Sequence, residues 1–474
     1  MLHKVPIVAP FVQLLMTVIP VQREEARSHR PSGLRALLLG AMLVALPACG
    51  PRRPGLATQP VDALLVARTG VAAPRMRGVD SLVAADSVRA MLARPLTPDA
   101  VVRVTLLAQP RLRSLYEEIG LAQADVVQAG LLSNPLASVD RFTEGRFQEF
   151  SVALSFVELL RRPLRTRVAR ARLETTTLQV ADAVFRAVTD ARSALAESVA
   201  AEQSLDLRRR TRQAAQASAA TAALVHQVGN LLDLDLASER ARAAESDAAV
   251  LRAEGEAAAS RERLVRALGV DVPGDSLRLP ARLADLAGAM PSRDSLVALA
   301  VNSRLDLAAA LSEINVSARE VGLTSRFRYL ADGSLAYSGE AEGSRMLRGP
   351  GLSVPLPLFD RGQARLQRAQ AALRQAVARQ EGLIREVRSE VRESLAQLDA
   401  AQRRATRYQA DVLPLRQRVT RETQLLYNSM AIGVFGLLAA QQAELEAGQG
   451  YIESLRDYWI ARYHLEQALG TRIP

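Results

Sequence analysis

Two stretches of this chain repeat one another about 200 residues apart, and that duplication limits the possible folds more than any single motif does. Ala153-Leu154-Ser155-Phe156, followed by Pro163 to Ala171, aligns with Gly351-Leu352-Ser353-Val354, followed by Arg361 to Ala369, at an offset of 198. Gly229 aligns with Gly433 at 204, and Ala267-Leu268-Gly269 with Ala468-Leu469-Gly470 at 201. Each half reads as a strand segment, a very long helix, a turn at a glycine, and a returning helix that stops at Ala-Leu-Gly. The repeats are expected over 99–269 and 270–474.

The long helices carry a seven-residue apolar period. Ile384, Val391, Leu398, Ala405, Val412 and Val419 form one seam, and Val387, Ala401, Tyr408 and Leu415, with polar Ser394, form its companion. Ala181, Val188 and Leu195 pair with Val184, Ala191 and Ser198 in the first half. A helix over about 165–223 would run roughly 90 Å, longer than a globular core needs, so these stripes call for partner helices. Pro414 is expected to bend the second long helix.

Strand candidates flank the helices. Phe147, Glu149, Ser151, Ala153 and Ser155 alternate with Gln148, Phe150, Val152, Leu154 and Phe156. Its partner must fit in the short segment after the Asn134-Pro135 break, so the first hairpin is expected to be reduced. In the second half, a helix over about 306–321 precedes strands expected at about 327–338 and 346–358, joined by a loop over 339–345. Two strand pairs per chain cannot close a barrel around an aqueous lumen, so several chains must contribute strands. The bland alternative is a pair of ordinary hairpins packed on helices.

Arg27, Arg30 and Arg35 precede an apolar run from Ala36 to Ala48, which ends in Leu46-Pro47-Ala48-Cys49. The run is too short to span a bilayer, and small residues stand where a signal peptidase cuts, so 1–48 is expected to be a signal region. The apolar stretch Val5 to Val21, broken by Pro6, Pro10 and Pro20, is expected to lie upstream of the true start. Cys49, the only cysteine, is the expected site of fatty-acid (palmitate) attachment, and 49–98 a lipid-anchored linker with one short helix near 80–93. A helical region over about 99–129 follows.

The formal net charge is +11, but signs alternate along stretches such as Arg385, Glu386, Arg388, Glu390, Arg392 and Glu393, as on a solvated helical face. Nucleic acid is therefore not an expected partner. With four histidines and one cysteine, neither a Ser/His/Asp or Cys/His catalytic set nor a clustered metal site can be assembled. No enzymatic activity, cofactor or metal is expected.

The run Gly351-Leu352-Ser353-Val354-Pro355-Leu356-Pro357-Leu358-Phe359-Asp360-Arg361-Gly362 resembles the strand-to-helix passage of the TolC-type outer-membrane efflux proteins. Tyr427 before Gly433, Leu437-Leu438, Gln441, Tyr458-Trp459 and Ala468-Leu469-Gly470 extend the resemblance, as do Asn134-Pro135, Gly229, Leu234 and Ala267-Leu268-Gly269 in the first half. The resemblance implies a mostly α fold with a small β part, a homotrimer with a twelve-stranded barrel in the outer membrane, and a helical tunnel in the periplasm. It further implies a periplasmic adaptor and an inner-membrane transporter as partners, and a passive exit duct for efflux or type I secretion as the function. A lipid-anchored adaptor or coiled-coil scaffold is the alternative, but an adaptor would carry one long hairpin among several β-rich segments, whereas this chain has two hairpins and few strands.

The turns far from the strands, Val228, Gly229, Asn230 and Leu231 in one half and Ile432, Gly433, Val434 and Phe435 in the other, are expected to contact the adaptor. At the ends of such hairpins Leu231, Ile432 and Phe435 have no core to enter, and Gly229 and Gly433 would permit the reversal. A local staple across each turn is the competing reading. Asp233 and Asp235 are the expected pore constriction, since threefold symmetry would gather six carboxylates if they face the axis. The second turn lacks the aspartates frequent in this family.

Overall fold

Seven-residue apolar periods of this length require long helices, and these dominate the computed structural model, which describes residues 59–71, 81–141, 147–286, 293–330, 332–342 and 345–473. The described residues fall in one unit, Gly55–Pro474. The expected signal region and Cys49 lie outside the described residues.

Helices α1 (Gln59–Thr69), α2 (Ser81–Leu92), α3 (Pro98–Ala108) and α4 (Pro110–Gly130) lead into strands β1 (Leu136–Arg141) and β2 (Phe147–Ser155). Helix α5 (Phe156–Gln227) then runs out and α6 (Asp233–Leu268) returns. The second repeat follows the same plan: α7 (Arg293–Ser303), α8 (Leu305–Arg326), β3 (Ser334–Glu342), β4 (Arg345–Ser353), an outgoing helix, and the returning α11 (Val434–Leu469). The outgoing helix comprises α9 (Gln363–Arg407), a π-helical segment (Tyr408–Val412) and α10 (Leu413–Asn428). The expected break at Pro414 thus takes the form of a π turn immediately before it, where the helix widens ahead of a residue that offers no N–H.

Several boundaries differ from the sequence expectation. Helix α5 is 72 residues long, roughly 108 Å at 1.5 Å per residue. It starts at the strand end because the Ser155 hydroxyl caps it, accepting from the Glu158 N–H at 3.4 Å, and Pro163 is accommodated inside it. Strand β3 begins at Ser334 rather than near 327, since α8 continues to Arg326. Strand β4 ends at Ser353, ahead of Pro355 and Pro357. Gly339, expected in the loop, pairs within the sheet opposite Phe150.

The expected tether over 49–98 is in part core. Val61 and Leu65, one turn apart on α1, are fully buried against Val102, Leu112, Ile119, Val184 and Val188, and Leu96 is fully buried in the main cluster. An i, i+4 apolar pair gives even this short helix a face to bury.

The heptad seams divide by position. Val184, Val188, Ala191, Leu195 and Ser198 are buried, as are Val387, Val391, Ser394, Leu398, Ala401 and Ala405. Ala191, Leu195, Val387, Val391, Leu398 and Ala401 join the main core with Leu268, Tyr458, Leu465 and Leu469, whereas Val184 and Val188 belong to the cluster under α1. Beyond the π segment, Leu415, Val419, Leu425 and Leu426 stand exposed on the single chain.

Candidate duct wall and hairpin tips

The four strands form one antiparallel sheet in the order β1-β2-β3-β4. Register and alternation put Val139, Phe150, Val152, Leu154, Leu335, Tyr337, Pro350 and Leu352 on one face. Ser138, Ser151, Ala153, Ser155, Ser334, Ala336, Ser338, Gly349, Gly351 and Ser353 share the other. Val139, Val152, Leu154, Leu335, Tyr337 and Leu352 are exposed, which marks an unpartnered apolar face. On the small, polar face the Ser138 and Ser151 hydroxyls lie 2.9 Å apart, and Asp140, Glu149 and Glu340 occupy one cross-strand row. One mainly apolar and one mainly polar face, with Leu136 and Leu347 on the polar side and Arg141, Gln148 and Arg348 on the apolar side, and with β1 and β4 open at the edges, is the pattern of a barrel-wall segment.

At the helix ends beneath the sheet, the two repeats make matching contacts. Gly269 closes α6 with φ +71 and Gly470 closes α11 with φ +71, in the left-handed region that glycine tolerates. The Gln109 amide donates to the Arg266 and Ala267 carbonyls at 3.1 and 3.0 Å, and Arg304 Nη1 donates to the Ala468 carbonyl at 2.9 Å.

Around this level lies a buried ionic network that sequence reasoning missed. Arg304 grips Asp306 with two hydrogen bonds, at 3.0 and 2.6 Å, and reaches Glu390 at 2.6 Å. Burial by itself would raise the Asp306 carboxyl, but the hydrogen bonds and charge of Arg304 overcome that and hold it below its ordinary range. Arg192 and Glu466, both buried, pair at 3.1 Å. Burial pushes Glu466 up, with Arg192 only partly offsetting it, and pushes Arg192 down, so desolvation outweighs their attraction. Burial also raises the Tyr463 phenol beside them to about 12. The available sequence signal was the presence of Arg192 and Glu466 at helix positions otherwise flanked by buried apolar residues.

The two distal turns follow one hydrogen-bond scheme. The N–H of Gly229 donates to the His226 carbonyl and that of Asn230 to Val225, while Met430 donates to Tyr427 and Ala431 to Leu426. All four pairs are offset by 201, as are the returning helices. The structural counterpart of Gly229 (φ +77) is therefore Met430 (φ +59), not Gly433, which has φ −76 and caps α11. The expected 204 alignment is corrected accordingly, and Gly433 is not the residue that permits the reversal.

Of the expected contact residues, Val228, Gly229, Asn230 and Gly433 are exposed, whereas Leu231, Ile432, Val434 and Phe435 are half-buried. Leu231 and Ile432 occupy the positions before the caps Leu232 and Gly433, and the residues four into each helix, Leu236 and Leu437, are buried, which is the hydrophobic-staple arrangement. The apolar side chains offered to solvent are instead Val228, Leu232, Leu234 and Met430, the last 93% exposed. Asp233 and Asp235 sit in the first turn of α6, where carboxylates favour the helix dipole. The Asp233 carboxylate lies 2.7 Å from His226 Nε2 across the turn, yet its side chain is 96% exposed.

The outer membrane efflux protein family model matches residues 296–471, which is most of the second repeat. No curated protein matches the chain in sequence. Among solved structures, a membrane protein from Pseudomonas aeruginosa aligns with TM-score 0.66 at 20% identity, over 81% of this chain and 93% of that one. The outer membrane protein VceC of Vibrio cholerae aligns with TM-score 0.65 at 17% identity, over 80% and 97%. The CmeC outer membrane channel of Campylobacter jejuni aligns with TM-score 0.64 at 15% identity, over 79% and 86%. At these identities the structures establish a shared fold. The family match thus lies within the second repeat, and the fold shared with these outer membrane channels extends across both repeats.

Proposed function

We propose that this chain is the passive exit duct of a tripartite efflux or type I secretion system, carrying substrate from the periplasm to the exterior. The observation that carries the reading is the sheet: four strands with one apolar and one polar face, open at both edges, above two long helical hairpins. Open edges are costly in hydrocarbon, so three chains close a twelve-stranded barrel and the hairpins continue it as a tunnel. Substrate choice belongs to the inner-membrane pump, and a periplasmic adaptor docks on the hairpin tips. Cys49 carries a fatty acid that adds a membrane anchor.

Purified protein in detergent should scatter light as a trimer and give single-channel conductance in planar bilayers. A monodisperse, non-conducting monomer would reject the duct. Gly433 has no neighbouring atom where a Cβ would stand, so Gly433→Trp tests docking rather than folding. Lost efflux with an intact trimer is expected, and unchanged adaptor crosslinking would reject the docking role. If Asp233 and Asp235 line the entrance, replacing both with Asn should weaken cation block of the conductance.

A further inference from the structure

The ends of the strands that meet the helices form a row, Ser155, Ser334 and Ser353, in register across the sheet. Arginines gather just beyond that row. Arg161 and Arg162 follow β2, Arg326 and Arg328 precede β3, and Arg361 and Arg365 follow β4. The passage into β1 has no arginine of its own, but Arg165 reaches it, donating to the carbonyls of Ala129 and Leu131 at 3.2 and 2.8 Å. All four junctions therefore carry positive charge at one end of the sheet.

Much of that charge is not neutralised by its contacts. Arg165 and Arg328 are held by backbone carbonyls, the latter by that of Arg361 at 2.7 Å, and a carbonyl orients a guanidinium without cancelling it. Arg328 stacks over Tyr329 at 5.2 Å, again leaving the charge in place. Arg365 forms a long ion pair with Asp360 at 3.9 Å, which offsets part of its charge. Arg162, Arg326 and Arg361 are exposed.

Exposed apolar side chains flank the arginines in sequence. Leu159, Leu160, Leu356 and Leu358 are open to solvent, and Phe359 is 92% exposed. Aliphatic and aromatic anchors beside guanidiniums suit the boundary between acyl chains and headgroups, where the apolar parts enter the membrane and the charges stay at its surface. Guanidinium also matches phosphate geometry better than ammonium does.

We propose that this arginine collar binds the anionic phospholipid headgroups of the leaflet on the helical side of the sheet. The proposal rests on the reading of the sheet as a membrane barrel, and its test separates the two. The trimer is reconstituted in vesicles of equal phosphatidylethanolamine and phosphatidylglycerol, extracted, and its retained lipids are counted by native mass spectrometry, with conductance measured on the same preparation. Wild type should retain phosphatidylglycerol preferentially. Arg162→Gln/Arg326→Gln/Arg361→Gln should reduce that retention about fivefold or more while conductance persists. Independently of any variant, raising salt to about 1 M, where charges interact over roughly 3 Å, should erase the preference of the wild type. Equal retention of the two lipids, a preference indifferent to salt, or unchanged retention in a conducting variant would overturn the collar and leave the duct standing. Selective retention of lipopolysaccharide instead would assign the collar to the opposite leaflet and overturn it too. A wild-type chain that neither trimerises nor conducts would reject both readings.

Discussion

Gly269 and Gln109 meet backbone to backbone: a Cβ on Gly269 would stand 2.5 Å from the Gln109 α-carbon. The same relation holds in the second repeat, where a Cβ on Gly470 would stand 3.0 Å from the α-carbon of Arg304. Each returning helix therefore stops against the one-residue link between two helices at the start of its own repeat, α3 and α4 in the first and α7 and α8 in the second. Both glycines have positive φ. Gly269→Ala and Gly470→Ala should each lose about 1–2 kcal/mol from the left-handed backbone alone. The tighter Gly269 site should lose more, because both obstructing atoms are backbone and the one at Gly269 stands at 2.5 Å against 3.0 Å. Thermal unfolding of the two variants checks the order, and equal, small losses would contradict it.

Met430 pays the left-handed penalty that Gly229 avoids in the other turn. Met430→Gly should stabilise the chain by up to about 1 kcal/mol, the relieved strain less the added freedom of glycine in the unfolded state. If the exposed methionine docks the adaptor, the same variant should lose adaptor crosslinking. A more stable trimer with intact crosslinking would assign Met430 no docking role.

Arg192 and Glu466 share a buried site whose desolvation exceeds their attraction. Removing one partner, as in Glu466→Leu, should cost up to about 3–5 kcal/mol, because Arg192 is left buried with only the more distant Asp99 carboxylate at 3.7 Å. The double variant Arg192→Leu/Glu466→Leu should recover most of that loss. Chemical denaturation of the single and double variants measures the coupling, and additive losses would show that the pair acts independently.

Burial raises the Asp182 carboxyl; Arg186 opposes the shift and nearby Asp306 adds to it. A carboxyl that binds its proton more tightly when folded favours the fold below its unfolded pKa, and that contribution disappears as pH rises through the folded value. Relative to Asp182→Asn, wild type should be less stable at pH 7 and should approach the variant as pH falls into the carboxylate range. Unfolding midpoints measured down that range test the sign, and a gap that widens on acidification would contradict it.

The acidic row of Asp140, Glu149 and Glu340 lies on the polar face of the sheet, and in the proposed trimer it is repeated three times inside the barrel. Glu149→Gln/Glu340→Gln should therefore lower cation-over-anion selectivity, read as a shift of reversal potential in a salt gradient. An unchanged potential would place the row away from the permeation path.

The repeat, the helical period and the strand alternation are local patterns, and they were legible in the residues themselves. Spacing by seven requires a long amphipathic helix, and spacing by two requires a two-faced strand, whatever the rest of the chain does. Asn134-Pro135 and the brevity of the segment after it likewise announced a reduced first strand, which spans six residues against nine for each of the others. Only the fold decided which turn residue takes positive φ, because Gly433 and Met430 stand three residues apart and the choice depends on where α10 ends. It likewise decided that Leu231, Ile432 and Phe435 are half-buried rather than exposed, and that α1 belongs to the core rather than to a tether. Arg192 meets Glu466 across 274 residues, and no local pattern carries a pairing that exists only once α5 and α11 have packed together.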